Sequence, residues 1–387
     1  MNFLKLILIL FGSLIFVPNC ISQWVLAANG LANTTCMSLG VNENTMFVIG
    51  VNGTVYSSTN SGNNWTPSFS YSSELGNSLF VNGNNIFASY FTYGLFYSSN
   101  NGAQWNPTAL NDRTVNVLTA NSSRTFAGTS NYGVYYSSNN GLNWFQTSLN
   151  DKTVRALTVK GDTIFAGTNT YGVYISTDNG TSWTQTSLNN QHINSLTVYE
   201  NTIYAGSNGV YISTSNGANW TQIGLSNQSI WGLAVYGNTI FAGSYTTGIY
   251  VSYDNGATWT PRNEGINTGL NIRSFCILDN YIFTTPQSRV YRRPLSELTG
   301  IQPVSNETPN LFYLSQNYPN PFNPVTKIKF DIPSTAFVKL IVYDVQGKEI
   351  SALLSKELNA GTYSIDFDGS SLSSGVYFYK LTSGNYH

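Results

Sequence analysis

One short block of residues recurs six times and dictates what the chain can fold into. It reads Ser-x-(Asp/Asn/Ser)-x-Gly-x-x-Trp. The copies place their fixed residues at Ser58, Asn60, Gly62 and Trp65; Ser98, Asn100, Gly102 and Trp105; Ser137, Asn139, Gly141 and Trp144. They continue at Ser176, Asp178, Gly180 and Trp183; Ser213, Ser215, Gly217 and Trp220; and Ser252, Asp254, Gly256 and Trp259. Successive tryptophans lie 40, 39, 39, 37 and 39 positions apart. A unit of about 40 residues cannot bury its own faces, so identical units must stack on one another, and this period is that of one propeller blade.

Inside each unit three short apolar runs precede the block, as in Val154 to Val159, Thr163 to Ala166 and Gly172 to Ile175. They are rich in β-branched and aromatic residues and bounded by Gly, Asn or Asp, which marks strands. Lys160-Gly161-Asp162 and Tyr236-Gly237-Asn238 supply hairpin turns between the first two runs. The block is the next turn. Pairs such as Asn140-Gly141 and Asn255-Gly256 provide the positive φ that a tight hairpin needs, and the preceding Asx or Ser can bond back to the turn. The tryptophan then opens the outer strand and covers the blade with its large apolar area.

This pattern resembles the Asp-box, or bacterial neuraminidase, repeat, and it covers most of the chain between Trp24 and Leu298. The resemblance implies a folding role for the box, on a turn away from the usual ligand face, and no catalytic role. Only Asp178 and Asp254 keep the acid of the family pattern, with Asn60, Asn100, Asn139 and Ser215 in its place elsewhere.

A seventh unit, Ile272 to Leu278, Tyr281 to Thr284 and Arg289 to Arg292, has three strands but no box and no outer strand. The segment Trp24 to Leu31 resembles the stretch after each box, with Trp24 in the place of the box tryptophan. The expectation is an all-β, seven-bladed propeller over 23–298 whose last blade is completed by the N-terminal strand, leaving no free sheet edge. Cys36 and Cys276 then become neighbours. A disulfide could staple the closure, but neighbouring blades usually hold Cα atoms too far apart for one, and two buried free thiols are expected.

After Leu298 the texture changes to a predicted linker, 299–313, with Pro303 and Pro309. Strand-like runs come next at Lys327 to Asp331, Val338 to Asp344, Glu349 to Leu354, Thr362 to Phe367 and Val376 to Leu381, which suit a small β-sandwich over 314–387. Residues Asn317 to Pro324 read Asn-Tyr-Pro-Asn-Pro-Phe-Asn-Pro. With Val342-Tyr343-Asp344, Gly347-Lys348-Glu349, Leu358 to Gly361 and Leu372 to Tyr377, they resemble the type A sorting domain of type IX secretion. The resemblance implies the type IX machinery as a partner, export through the outer membrane, and a secreted or surface location in a Gram-negative, Bacteroidota-like bacterium. Family members usually continue past the equivalent of Gly384-Asn385 with a further strand and a basic end, so either the sequence stops short at His387 or the last strand is absent.

The beginning of the chain fits export. Lys5 precedes an apolar run, Leu6 to Val17, that Pro18 stops, and a cut after Ser22 gives a signal peptide over 1–22, too short to span a membrane. The mature chain is expected to have no transmembrane span. Charged residues are only 9% of the chain and the net charge is −1, with no basic run, which leaves nucleic acid and anionic lipid without an attractive term.

Chemistry is thinly supplied. A glycosidase wants two carboxylates facing one cleft. On the face opposite the boxes only Glu74, Asp112, Asp151 and Glu264 are placed, while Glu43, Asp162, Glu200 and Asp279 fall on the box side. Arg113, Arg155 and Arg273 could form a cluster of the kind a sialidase uses, although Asp112-Arg113 and Asp151-Lys152 read as solvated loop charge. His192, alone in the propeller, gives neither a triad nor a metal set, so no catalytic residue, metal or cofactor is assigned. The remaining candidates are Tyr90, Tyr93, Tyr132, Tyr171 and Tyr245, in the loops between second and third strands, as ligand contacts or simply as packing between blades. The expected function is a binding propeller for glycan or protein, with an extracellular glycoside hydrolase of sialidase or xyloglucanase type as the alternative.

Overall fold

The computed structural model describes residues 23–383, apart from 32–33, 72–73, 238, 268, 280, 287–288, 299–301, 306–308, 324, 359 and 370–371. The expected signal peptide and residues 384–387 lie outside the described residues.

Seven four-stranded antiparallel sheets follow one another among the described residues. Their innermost strands are Cys36–Asn42, Gly76–Asn82, Val115–Ala120, Val154–Lys160, Ser195–Tyr199, Ile230–Tyr236 and Ile272–Leu278, numbered here as blades 1 to 7. Each packs beside the next and the last packs beside the first, so the ring is closed. The second strands, such as Thr163–Thr168, are almost wholly buried because a blade is covered on both faces. They carry one aromatic residue at the same place in every blade, namely Phe47, Phe87, Phe126, Phe165, Tyr204, Phe241 and Phe283, all buried.

Blade 7 takes its outer strand from the other end of the chain, as the sequence implied. Val25 pairs with Arg292 and Leu26 with Tyr291. Trp24 is fully buried, its backbone N–H donates to Glu264 O at 2.7 Å, and its Nε1 donates to Arg262 O at 2.7 Å. The same segment reaches forward to blade 1, where Trp65 donates from Nε1 to Ala27 O at 2.8 Å. Across the seam Ser61 Oγ donates to Asp279 Oδ2 at 2.9 Å, and Arg292 donates to Ser61 O at 2.5 Å. Cys36 and Cys276 flank this seam as free thiols, and burial pushes both up to about 12, with Arg289 pulling slightly the other way on Cys36.

Each box is a closed hydrogen-bonded turn. In blade 3 the Gly141 N–H donates to Ser137 Oγ at 2.8 Å, Ser137 Oγ donates to Asn139 Oδ1 at 3.0 Å, and Asn139 Oδ1 accepts from Asn143 N–H at 2.9 Å. Asn140 and Gly141 both have positive φ, 55° and 87°. Where the acid is kept, Asp178 Oδ1 accepts from Ser182 N–H at 2.8 Å, the same bond Asn139 makes to Asn143. The turn needs an oxygen acceptor at this position, so Asn substitutes for Asp and even Ser215 serves, accepting from Asn219 N–H at 2.8 Å.

The tail forms two sheets. One runs in the order Gln302–Ser305, Gly361–Asp368, Val325–Ile332, Tyr313–Leu314, and the other Glu349–Leu358, Ala336–Tyr343, Phe378–Ser383. Val338, Leu340 and Val342 point inward onto Ile328, Phe330, Ile365 and Phe367, as their alternation required. The predicted linker 299–313 is corrected in part. Gln302–Ser305 is an edge strand paired with Gly361–Asp368, because an edge position tolerates Pro303, whose missing N–H would break a central ladder.

Candidate functional site

The face opposite the boxes opens onto the central channel through a funnel of about 550 Å³. Its wall is built by one irregularity repeated around the ring. In blades 1, 2, 3, 4, 6 and 7 the pairing of the innermost strand with the second slips at the start of the inner strand, for instance between Val154 and Ala156, and one residue is skipped there, or two in blade 7, Arg273 and Ser274. A bulge re-aims one side chain out of the pleat. The residues so placed are Met37, Asn77, Asn116, Arg155, Trp231 and Arg273, and Asn194 takes the equivalent place in blade 5; all seven line the funnel.

The seven are one methionine, three asparagines, two arginines and one tryptophan, and those of blades 2 to 7 fall into two arcs. In blades 2 and 3 the amides are engaged in the scaffold, with Asn77 Nδ2 donating to Val115 O at 2.8 Å and Asn116 Nδ2 to Val154 O at 3.0 Å. Blades 4 to 7 present Arg155, Asn194, Trp231 and Arg273. The guanidinium carbons of Arg155 and Arg273 lie 5.6 and 5.4 Å from the Trp231 ring centroid, within cation–π range. Tyr245 packs on Trp231 at 4.9 Å between centroids, and Arg273 also sits 5.6 Å from the Tyr245 ring. Two buried polar atoms in this arc, Arg155 Nε and Ser195 Oγ, have no hydrogen-bond partner.

The tyrosines predicted as ligand contacts divide accordingly. Tyr90 is corrected: it ends the second strand of blade 2, is fully buried, and donates from its hydroxyl to Gly53 O at 3.2 Å. Burial raises its phenol well above the usual range. It lies one strand position inward of the loop, where other blades carry Thr129 or Thr168, so it packs against Phe69, Tyr71 and Phe96. Tyr93, Tyr132 and Tyr171 are half-exposed on the rim. Arg113 caps Tyr132 at 4.2 Å and Lys152 caps Tyr171 at 4.4 Å, each cation also paired with its neighbouring Asp112 or Asp151. Tyr245 alone of the five reaches the Trp231 arc.

Of the three arginines imagined as a cluster, the fold brings Arg155 and Arg273 to one tryptophan and sends Arg113 to the rim. The carboxylates do not converge on the funnel. Glu264 pairs with Arg293 at 3.0 Å, Glu74 accepts from Thr92, and no Asp or Glu is among the described residues lining the cavity. His192 is exposed, its Nδ1 3.4 Å from Asn169 Oδ1. No cluster of three potential metal ligands occurs among the described residues, and none of their helices is long and apolar enough to cross a membrane. Trp231 escaped sequence reasoning. Its signal was there: among tryptophans it alone has no box place.

Residues 316–387 match the secretion system C-terminal sorting domain family, and residues 146–293 match the DUF6242 beta propeller domain. No curated protein sequence matches the chain. Among solved structures, it is similar to YCF48 from Cyanidioschyzon merolae (14% identity, TM-score 0.56, covering 70% of this chain and 98% of that one). It is also similar to PorZ, a surface component of the type-IX secretion system of Porphyromonas gingivalis (14% identity, TM-score 0.57, 92% of this chain and 59% of that one). A third likeness is to the GH74 xyloglucanase from Xanthomonas campestris (13% identity, TM-score 0.58, 71% and 54%). At such identities the likeness is one of fold. The chain is a β-propeller protein with a type IX secretion sorting domain at its C-terminal end, a tail that marks proteins secreted by, or held at the outer-membrane surface of, Gram-negative bacteria.

Proposed function

We propose that the propeller is an exported binding module for a glycan or protein ligand, which it holds in the funnel opposite the boxes. The observation that carries this reading is the contrast between scaffold and wall. Every blade repeats its core and nearly every blade its box, while the position at the start of the inner strand, filled by Met37, Asn77, Asn116, Arg155, Asn194, Trp231 and Arg273, faces the cavity in each. Repetition preserves what packing needs, and a closed ring with one such side chain per blade is a made-to-measure rim. Half-exposed Tyr93, Tyr132, Tyr171 and Tyr245 enlarge the contact surface with rigid amphipathic rings. The hydrolase alternative calls for two carboxylates flanking a scissile bond, and no Asp or Glu is among the described residues of the funnel wall.

The test is retention of glycans on an array, and of surface proteins in a pull-down, by the full mature chain, with products assayed in parallel. Binding without turnover that weakens in the Trp231→Ala variant and in the combined Tyr132→Ala, Tyr171→Ala, Tyr245→Ala variant is expected. Release of reducing ends from a bound polysaccharide, or binding indifferent to all four changes, would overturn the reading.

A further inference from the structure

The charge of the funnel singles out the kind of ligand. Two guanidiniums share one aromatic platform in blades 4 to 7, and no carboxylate is among the described residues lining the cavity there. Like charges gathered on one wall repel, and a low-dielectric cleft strengthens that repulsion, so an anion that reaches both gains from each of them. Arg273 has protein partners, with Nε donating to Asn271 Oδ1 at 3.3 Å. Arg155 Nε has none, and Ser195 Oγ in the neighbouring blade is likewise buried and unpaired. Buried polar groups are nearly always satisfied, so two orphans on one cavity wall point to a missing partner.

We propose, on the basis of the binding role above, that this arc is a subsite for a carboxylate-bearing sugar, of the uronic or sialic acid class. The carboxylate lies between Arg155 and Arg273, since guanidinium matches a planar carboxylate with paired N–H donors. The sugar ring lies against the exposed parts of the Trp231–Tyr245 pair. Its hydroxyls meet Asn194, Thr153 and Ser274, short polar groups that line the same cavity. A sugar suits this wall because it joins the amide and hydroxyls of Asn194, Thr153 and Ser274 to apolar and aromatic surface from Trp231, Leu196 and Leu233, the mixture that a sugar's polar rim and C–H faces present.

The experiment is calorimetric titration of the full mature chain with trimers of galacturonate, glucuronate and mannuronate and with sialyllactose. Each is paired with its methyl ester, which keeps the sugar and removes the charge, and a glutamate-rich peptide forms a separate arm. At least one acid is expected to bind roughly tenfold or more tighter than its ester, an advantage that shrinks with added salt. Arg155→Gln and Arg273→Gln should each erase that advantage without lowering the melting temperature, and Arg113→Gln on the rim should preserve it. The proposal is overturned if no acid binds, if esters bind as well, if the two funnel variants bind like the parent, or if the peptide alone binds. Neutral glycans or proteins retained through the tyrosine rim would sink the acidic subsite and leave the binding module standing.

Discussion

A Cβ placed on Gly141 in the box of blade 3 would come within 2.4 Å of the Phe87 ring in blade 2. The relationship repeats, with Gly180 against Phe126 and Gly217 against Phe165 at 2.8 Å each, and across the seam with Gly62 against Phe283 at 3.2 Å. The box is therefore a rivet between blades as well as a turn. Its glycine is fixed by two demands at once, a left-handed backbone and room for the preceding blade's aromatic ring.

Gly141→Ala should destabilise the propeller by more than the ~1–3 kcal/mol that a strained φ alone costs. Gly161→Ala is the control, since its φ is also positive, at 60°, but nothing lies within 4 Å. Urea unfolding of both variants should rank them in that order, and equal losses would remove the rivet.

Trp24→Ala empties a fully buried indole site and frees the Arg262 carbonyl, so a loss of about 3–5 kcal/mol is expected. Deleting residues 23–31 should cost at least as much and lower the melting temperature by several degrees. An unchanged melt in both would contradict ring closure by the N-terminal strand.

Acid should loosen the boxes that keep an aspartate. Hydrogen bonds from the Ser182 hydroxyl, its backbone N–H and Ser176 hold Asp178 down to about 2 from an ordinary 3.8. Burial pushes Asp254 up, but bonds from Thr258 and Ser252 outweigh it and the net shift is also downward. A carboxyl lowered on folding stabilises the native state above its unfolded value and loses that contribution as pH falls through the folded one. Stability measured between about pH 4 and pH 2 should thus fall less steeply in the Asp178→Asn, Asp254→Asn double variant, and the parent's advantage, present at pH 7, should shrink as the pH falls.

The thiols of Cys36 and Cys276, raised to about 12 by burial, should resist an aromatic disulfide reagent at pH 8 in the native protein and both react once it is unfolded in urea. Rapid native reaction, or a disulfide recovered from the oxidised chain, would contradict the free-thiol seam.

Much of the fold could be read from residue order because the repeat states its constraint six times over. Ser-x-Asx-x-Gly-x-x-Trp needs a positive φ at Gly and an oxygen at Asx, both local demands, and Trp24 without a box of its own pointed to the seam. The edge strand Gln302–Ser305 was hidden because its partner, Gly361–Asp368, lies far along the chain and two prolines at 303 and 309 suggest a linker. The site was less legible for a related reason. A bulge reverses which way a side chain points, so Arg155 and Trp231 sit at strand positions whose alternation would place them elsewhere, and Tyr90 was misjudged by a single residue of strand length. Only tertiary pairing reveals that Arg155 in blade 4 and Arg273 in blade 7, far apart in the chain, share a tryptophan.

The pairing of Val25 with Arg292 also sets a timetable. One edge of this sheet comes early in the chain and the other only when the propeller is all but complete, so the circle cannot close until Tyr291 and Arg292 are in place. Chains halted before Tyr291 should remain open to protease even with six blades in hand. The tail has a core of its own, in which Phe330, Leu340 and Phe367 meet, and it emerges just after that last rung is supplied. Delivery order thus places closure of the circle immediately ahead of the segment that serves as its passport.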